Sequence, residues 1–197
     1  MRISGVAKKG LALVLTMAVA VGGVAIAPSQ ASAAKKTSKS VTVRTYFAGT
    51  AKDADCIWVY GDGTEAPKLE KSVKLTKGKK TKVSITIKKP STYTVGGKTA
   101  KLKKMTGATV LTVDLVDVLA SFKSAKCSGI VVKCDGKTVK QKVYQGSFEK
   151  NKPTSKNNWR LSFYNKWGNQ GDNSKNNKAT AFAFKKNITI SFTVTPK

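Results

Sequence analysis

Residues 188–195 read ITISFTVT, and this stretch decides the fold class. Every second residue in it is apolar: Ile188, Ile190, Phe192 and Val194. The residues between them carry hydroxyl groups. Successive side chains of a β-strand point to opposite faces of a sheet, so a period of two predicts a strand with one buried and one solvated face. Strands of this kind are typical of antiparallel sheets.

The same alternation recurs at 41–47, 83–87 and 159–163. Between residues 130 and 143, Asp135-Gly136 predicts a type I′ hairpin turn, because both residue types tolerate positive φ. That turn would pair Cys134 with Lys137 and place Cys134 on the core side. With eight to ten short strands separated by turn signals, the sequence predicts an all-β fold. We expect an antiparallel β-sandwich or jelly roll with one short helix.

The helix is expected at residues 114–122 (DLVDVLASF). Its apolar residues follow the i, i+3, i+4, i+7 spacing: Leu115, Val118, Leu119 and Phe122. The pattern predicts about two turns that close one end of the sandwich. Asp114 and Asp117 then fall at the helix start, where the dipole favours negative charge. A catalytic carboxylate pair is the alternative.

The N-terminus has the pattern of a secretory signal peptide over residues 1–33. Arg2, Lys8 and Lys9 precede an uncharged run at 10–27, and Ala31-Ser32-Ala33 supplies small residues for cleavage. A retained membrane anchor is the alternative. We expect a disordered leader at 34–39 and a single β-sandwich domain at 40–197. The mature protein is expected to be secreted, with non-covalent retention at the cell surface left open.

The chain is strongly basic, with 37 Lys and Arg against 10 Asp and Glu and a net charge of +27. Outside the signal segment only Arg44 and Arg160 are arginines. Lysine is a hydrated point charge that lacks the bidentate fork of arginine. The expected partner is therefore a polysaccharide or other anionic surface polymer, with no specific nucleic acid and no membrane span after signal cleavage. Lysines that merely keep the protein soluble and protect edge strands are the alternative. Oligomeric state is left open.

Cysteine and histidine usage limits the chemistry. Cys56, Cys127 and Cys134 in an exported chain suggest a disulfide with one thiol left over, and the pairing stays open. The chain contains no histidine, which excludes an imidazole base and the usual triads. Three thiols without histidine are a poor zinc site. We predict no catalytic residues, no metal, no cofactor and no enzymatic activity.

Aromatic residues beside amides are the main signal for a binding site. Flat aromatic faces pack on the C–H surfaces of sugars, while amides bond the hydroxyls. Residues 164–170 (YNKWGNQ) combine these types where a strand enters a loop, and Trp58 and Tyr60 share one face of another predicted strand. A core position for Trp58 is the alternative. The predicted ligand-binding residues are Trp58, Tyr60, Tyr164, Asn165, Trp167 and Asn169.

Several stretches carry a family resemblance: VLTVDL (110–115), VVKCDGK (131–137), WRLSFYNKWG (159–168) and ITISFTV (188–194). In order and spacing they resemble β-sandwich modules appended to secreted bacterial polysaccharide-degrading enzymes, over the C-terminal half to two-thirds of the chain. The resemblance implies a carbohydrate-binding-like module. The leading hypothesis is a secreted protein that binds an anionic glycan of a cell envelope or host surface. The alternative is a cationic structural or adhesive protein that holds cell-wall polymers or a protein partner by charge.

Overall fold

The computed structural model describes residues 37–64, 66–147, 157–167 and 176–197. The predicted signal peptide and most of the two Asn-rich loops, 150–158 and 168–178, lie outside these ranges. The described chain forms twelve strands, one short helix and a 3₁₀ turn at Ala179–Phe182. The strands are β1 (Ser38–Ala51), β2 (Ala54–Tyr60), β3 (Leu69–Thr76), β4 (Thr81–Lys88), β5 (Thr92–Val95), β6 (Lys98–Lys101), β7 (Gly107–Val116), β8 (Ala125–Cys134), β9 (Lys137–Val139), β10 (Tyr144–Gly146), β11 (Trp159–Asn165) and β12 (Asn187–Pro196); the helix is α1 (Val118–Ser121).

The strands form an all-β, sandwich-like fold, as the alternation predicts. Sheet A has the order β10-β11-β7-β1-β2, and β3 pairs with the first half of β1. Sheet B has the order β4-β12-β8-β9, and β5 and β6 form a separate hairpin. All the pairings are antiparallel. Because β1 begins at Ser38, the last two residues of the predicted leader belong to sheet A.

One hydrophobic core joins the inner faces of the two sheets. In β12, Ile188, Ile190, Phe192 and Val194 are buried while the residues between them are half-buried. Phe47, Leu111 and Phe163 are fully buried from sheet A. The interior therefore follows the period-two pattern of the sequence.

The Asp135-Gly136 turn is confirmed. Asp135 has φ 49° and Gly136 φ 82°, and Cys134 pairs with Lys137 as the two-residue loop requires. The Asp135 carboxylate also accepts backbone hydrogen bonds from Lys185 (2.6 Å), Lys186 (2.7 Å) and Asn187 (3.1 Å). These bonds, with Lys185 the largest contributor, lower the pKa of Asp135. The turn thus fixes the start of β12 beside β8.

The predicted helix at 114–122 is too long. β7 continues through Val116, and α1 spans only Val118–Ser121. Leu115 belongs to β7, and Asp114 lies in the same strand instead of at a helix start. The backbone of this segment pairs with β1 on one side and with β11 on the other. A helix here would leave the facing N–H and C=O groups of β1 and β11 without these partners. Val118 and Phe122 still reach the core, as expected.

All three cysteines lie in the described ranges, and none of them is in a disulfide, which corrects that expectation. Cys127 and Cys134 are buried seven residues apart on β8, a separation of about 23 Å along a strand. That distance is far beyond disulfide reach. Burial raises the pKa of Cys127 to about 12 and, with the neighbouring Asp135 carboxylate, that of Cys134 to about 11. Within the described ranges, no helix is long and apolar enough to cross a membrane.

Candidate binding face on sheet A

Two tryptophans meet on the outer face of sheet A. The indole rings of Trp58 and Trp167 lie 6.5 Å apart between centroids and 16° from parallel. Trp58 pairs with Ala48 on β1, Ala48 with Val110 on β7, and Val110 with Asn165 on β11. The rings therefore reach toward each other across two intervening strands, about 14 Å from β2 to β11. Ala48 and Val110 are small enough to lie beneath them, and both are buried although they face outward.

The local backbone positions Trp167. The Asn165 side-chain oxygen accepts a hydrogen bond from the Trp167 backbone N–H at 3.0 Å, and the Lys166 N–H donates to the Thr109 carbonyl at 2.9 Å. The turn after β11 is thus tied to its own strand and to β7. Trp167 remains 51% exposed, an unusual exposure for so large an apolar side chain. Asn165 itself is buried and acts as a positioning residue.

A second row of side chains crosses the sheet beside the tryptophans. Tyr46 on β1, Thr112 on β7, Ser162 on β11 and Tyr144 on β10 are cross-strand neighbours. Tyr144 is 43% exposed and Tyr46 is half-buried, whereas Thr112 and Ser162 are buried. The row therefore has a phenol ring at each end, with the buried hydroxyl groups of Thr112 and Ser162 between them.

A third row consists of charges that alternate in sign. Glu70, Arg44, Asp114 and Arg160 are neighbours across β3, β1, β7 and β11. Arg160 holds Asp114 with two bonds, Nε to Oδ1 at 2.5 Å and Nη2 to Oδ2 at 2.6 Å. Arg44 Nε lies 2.5 Å from Glu70 Oε1. The row carries two positive and two negative charges, so it is neutral as a unit.

The arginines also contact the aromatic row. The Arg160 guanidinium lies over the Tyr46 ring, 5.5 Å from its centroid, and Arg44 Nη1 donates to Tyr46 Oη at 3.4 Å. That hydrogen bond, together with Glu70, raises the pKa of Arg44 despite partial burial. Both arginines of the described chain therefore pack against one tyrosine, and the three rows form a continuous face.

Trp58 and Trp167, both predicted from sequence, are brought together by the structure. Tyr60 and Tyr164, also predicted, lie on the opposite side of the sheet. A β-bulge lies between the pairs Phe47–Tyr60 and Ala48–Trp58, so Tyr60 faces the core with Phe47. A second bulge between Ser162 and Tyr164 turns Tyr164 inward, 6.3 Å from the Phe182 ring.

The remaining residues of the face were not predicted, and Asn169 lies outside the described residues. Tyr46, Arg44 and Arg160 are missing from the sequence-based set, as is Tyr144. The alternation of β1 contained a signal, because inward Val43 and Phe47 place Arg44 and Tyr46 outward. Within the described ranges, no group of three or more His, Cys, Asp or Glu side chains could hold a metal ion.

Comparison of the chain with protein-family models, with curated proteins and with solved structures finds no match. The geometry of the face is therefore the basis for a functional assignment. Exposed aromatic rings offer flat apolar contact, and the guanidinium, phenol and amide groups beside them offer hydrogen bonds.

Proposed function

We propose that this protein is an exported, non-catalytic carbohydrate-binding protein whose ligand lies on the outer face of sheet A. The observation that supports the proposal is the Trp58–Trp167 pair, in which Trp167 is exposed and Trp58 is half-buried. Half-buried Tyr46 and exposed Tyr144 lie in the next row of the same face. Large aromatic side chains left in water at one place mark a binding surface more strongly than scattered ones do. A sugar ring supplies C–H faces for the indoles and hydroxyls for the polar rows.

The charge distribution supports an anionic glycan. The arginines on the binding face are already paired with carboxylates, so they orient hydroxyls and rings without making the face itself cationic. The net charge of +27 comes mainly from lysines, which raise a positive potential over the whole protein. Attraction from the lysines would concentrate an acidic polymer, and the aromatic face would make the specific contacts.

The three tryptophans give a direct assay. Trp159 is half-buried and donates its indole N–H to Gln145 at 3.4 Å, so it reports on the fold but lies off the binding face. We expect a glycan ligand to change the fluorescence of Trp159→Phe protein as it does the wild type. The change should disappear when Trp58 and Trp167 are both replaced by phenylalanine.

Affinity is tested by Trp167→Ala on an array of neutral and acidic glycans at low and physiological salt. Loss of a central aromatic contact costs about 2 kcal/mol, or roughly thirtyfold in Kd. Val131→Ala is the matched control, because Val131 is an exposed apolar residue on the outer face of sheet B. If Trp167→Ala binds as tightly as the control, the face is not the carbohydrate site.

A second candidate function is adhesion to cell-wall polymers or a protein partner by charge alone. It is favoured by the lysine excess and by the ion pairs of the described residues, which use only arginine. Binding of this kind would be unchanged in Trp167→Ala and would fall steeply between low and physiological salt, since exposed charges are screened beyond about 10 Å at 0.1 M. The same array, read at both salts, separates the two functions.

A further inference from the structure

A basic cavity of about 340 Å³ lies between the β1–β2 turn and the β5–β6 hairpin. Four lysines line it: Lys52, Lys101, Lys103 and Lys104. Asp53 and Tyr93 also line the cavity, and Asp53 supplies its one carboxylate. None of these residues belongs to the aromatic face of sheet A. The cavity is therefore a separate feature of the molecule.

The cavity lining has an unbalanced charge. Four ammonium groups and one carboxylate leave a net charge of +3. Both ion pairs found among the described residues belong to Arg44 and Arg160, so no lysine of the cavity is in an ion pair with a described carboxylate. Like charges that share a concave, partly apolar surface repel, and a bound anion removes that repulsion.

The backbone that carries Lys103 and Lys104 is fixed at both ends. On one side, Leu102 is buried and its N–H donates to the Ser91 carbonyl at 2.8 Å. On the other side, Met105 is buried and exchanges two backbone hydrogen bonds with Phe184, of 2.9 and 3.1 Å. The two lysines are thus held at the cavity by a short segment between two core anchors.

Three further hydrogen bonds, donated by Lys89 and Thr106, hold the backbone around the cavity. The Lys89 ammonium donates to the Leu102 carbonyl at 2.5 Å and to the Pro90 carbonyl at 2.9 Å, which ties the base of the hairpin. The Thr106 N–H donates to the Thr50 carbonyl at 2.7 Å, which ties the segment to β1. A site that is ordered before its ligand arrives loses less entropy on binding.

We propose that this cavity binds a phosphate or sulfate group. Lysines act as point charges without the planar fork that matches a carboxylate, so a compact oxyanion with several acceptor oxygens suits them best. The volume is near the lower end of small-molecule sites and leaves room for part of the molecule that carries the group. The source is a free anion or an ester group on a polymer, and both present the same chemistry.

The test is calorimetric titration of wild-type protein and the Lys103→Gln/Lys104→Gln variant with inorganic phosphate, sulfate and acetate. We expect the variant to bind phosphate and sulfate at least tenfold more weakly than the wild type, and acetate to bind weakly to both. Lys79→Gln/Lys80→Gln is the matched control, since it removes an adjacent, exposed lysine pair from the β3–β4 turn, away from the cavity. The control should lose less than threefold. Equal losses in the two variants, or acetate binding as tight as phosphate binding, would overturn the proposal.

A glycerophosphate oligomer compared with inorganic phosphate identifies the source. Tighter binding of the oligomer indicates a polymer-borne ester, and equal binding indicates a free anion. Trp167→Ala should keep the full phosphate affinity whether or not it loses glycan binding, because the cavity does not include the aromatic face. Loss of phosphate binding in Trp167→Ala would show that the cavity is not an independent site.

Discussion

Replacing Arg160 by methionine should destabilise the protein strongly, because it leaves the Asp114 carboxylate buried without its ionic partner. The Asp114 side chain is 1% exposed and that of Arg160 11%, and two short bonds join them. Removing one member of a buried pair costs about 3–5 kcal/mol. Arg44 lies next to Asp114 across the strands and compensates part of the charge. We therefore expect a loss of unfolding free energy of about 3 kcal/mol.

The control uses the same substitution in the same row of sheet A. The Arg44 and Glu70 side chains are 24% and 34% exposed, so Arg44→Met should cost at most about 1 kcal/mol. The double variant Asp114→Leu/Arg160→Met removes both charges and should be within about 1 kcal/mol of the wild type. Urea unfolding of each variant and of the single variant Asp114→Leu, followed by far-UV circular dichroism, gives these free energies.

Two results would refute this reasoning. A cost below about 1 kcal/mol for Arg160→Met would mean that the pair behaves as an exposed salt bridge. A double variant as unstable as the sum of the two single variants would mean that the residues are not coupled.

Three other predictions concern the cysteine thiols, the carboxylate that accepts backbone hydrogen bonds in the β8–β9 turn, and a buried hydroxyl group. Under native conditions only the exposed Cys56 should react with a thiol reagent. Cys127 and Cys134 are buried and their raised pKa keeps them as protonated thiols, so they should react only after unfolding. Native modification of more than one thiol per chain would contradict this prediction. Asp135→Asn should lower stability at pH 7, as measured by thermal unfolding. Since the folded pKa of Asp135 is lowered, its contribution is present above its unfolded pKa of about 3.9 and is lost as pH falls through the folded value, so the two proteins should converge in acid. Thr45→Val should raise the unfolding free energy by about 1 kcal/mol, because the buried Thr45 hydroxyl has no hydrogen-bond partner in the described chain; a loss of stability in urea would contradict this.

The alternation of single strands was enough to predict the sheets, the inward residues of β12 and the Asp135-Gly136 turn. These features depend on local chemistry: the pleat of a strand and the φ angles that a tight turn requires. Exposure of Trp167 was predictable for the same reason, because the residue follows the end of its strand. Local pattern was insufficient wherever a partner strand decided the outcome.

The two bulges show this most clearly. Each adds one residue to a strand and reverses the faces beyond it, and no glycine marks either position. Tyr60 and Tyr164 were therefore predicted as ligand-binding residues, although both pack against the core. The helix was predicted too long because Leu115 fits a helical stripe and a strand equally well, and pairing with β1 and β11 decided between them. The charge row joins four strands, and although the alternation of β1 places Arg44 outward, no single strand indicates which charges lie opposite each other.

The central place of β12 in sheet B has a consequence for the order of folding. β4 and β8 flank β12 and do not pair with each other, so neither edge can close until residues 187–196 arrive. The partners are distant in the chain: Ser84 and Ser191, which share a hydroxyl hydrogen bond, are 107 positions apart. Contacts of such long sequence separation slow folding, because the loop entropy is lost before the pairing is gained. A growing chain therefore cannot complete sheet B until β12 has been synthesised, and during that interval the core face of sheet A lacks its full partner sheet.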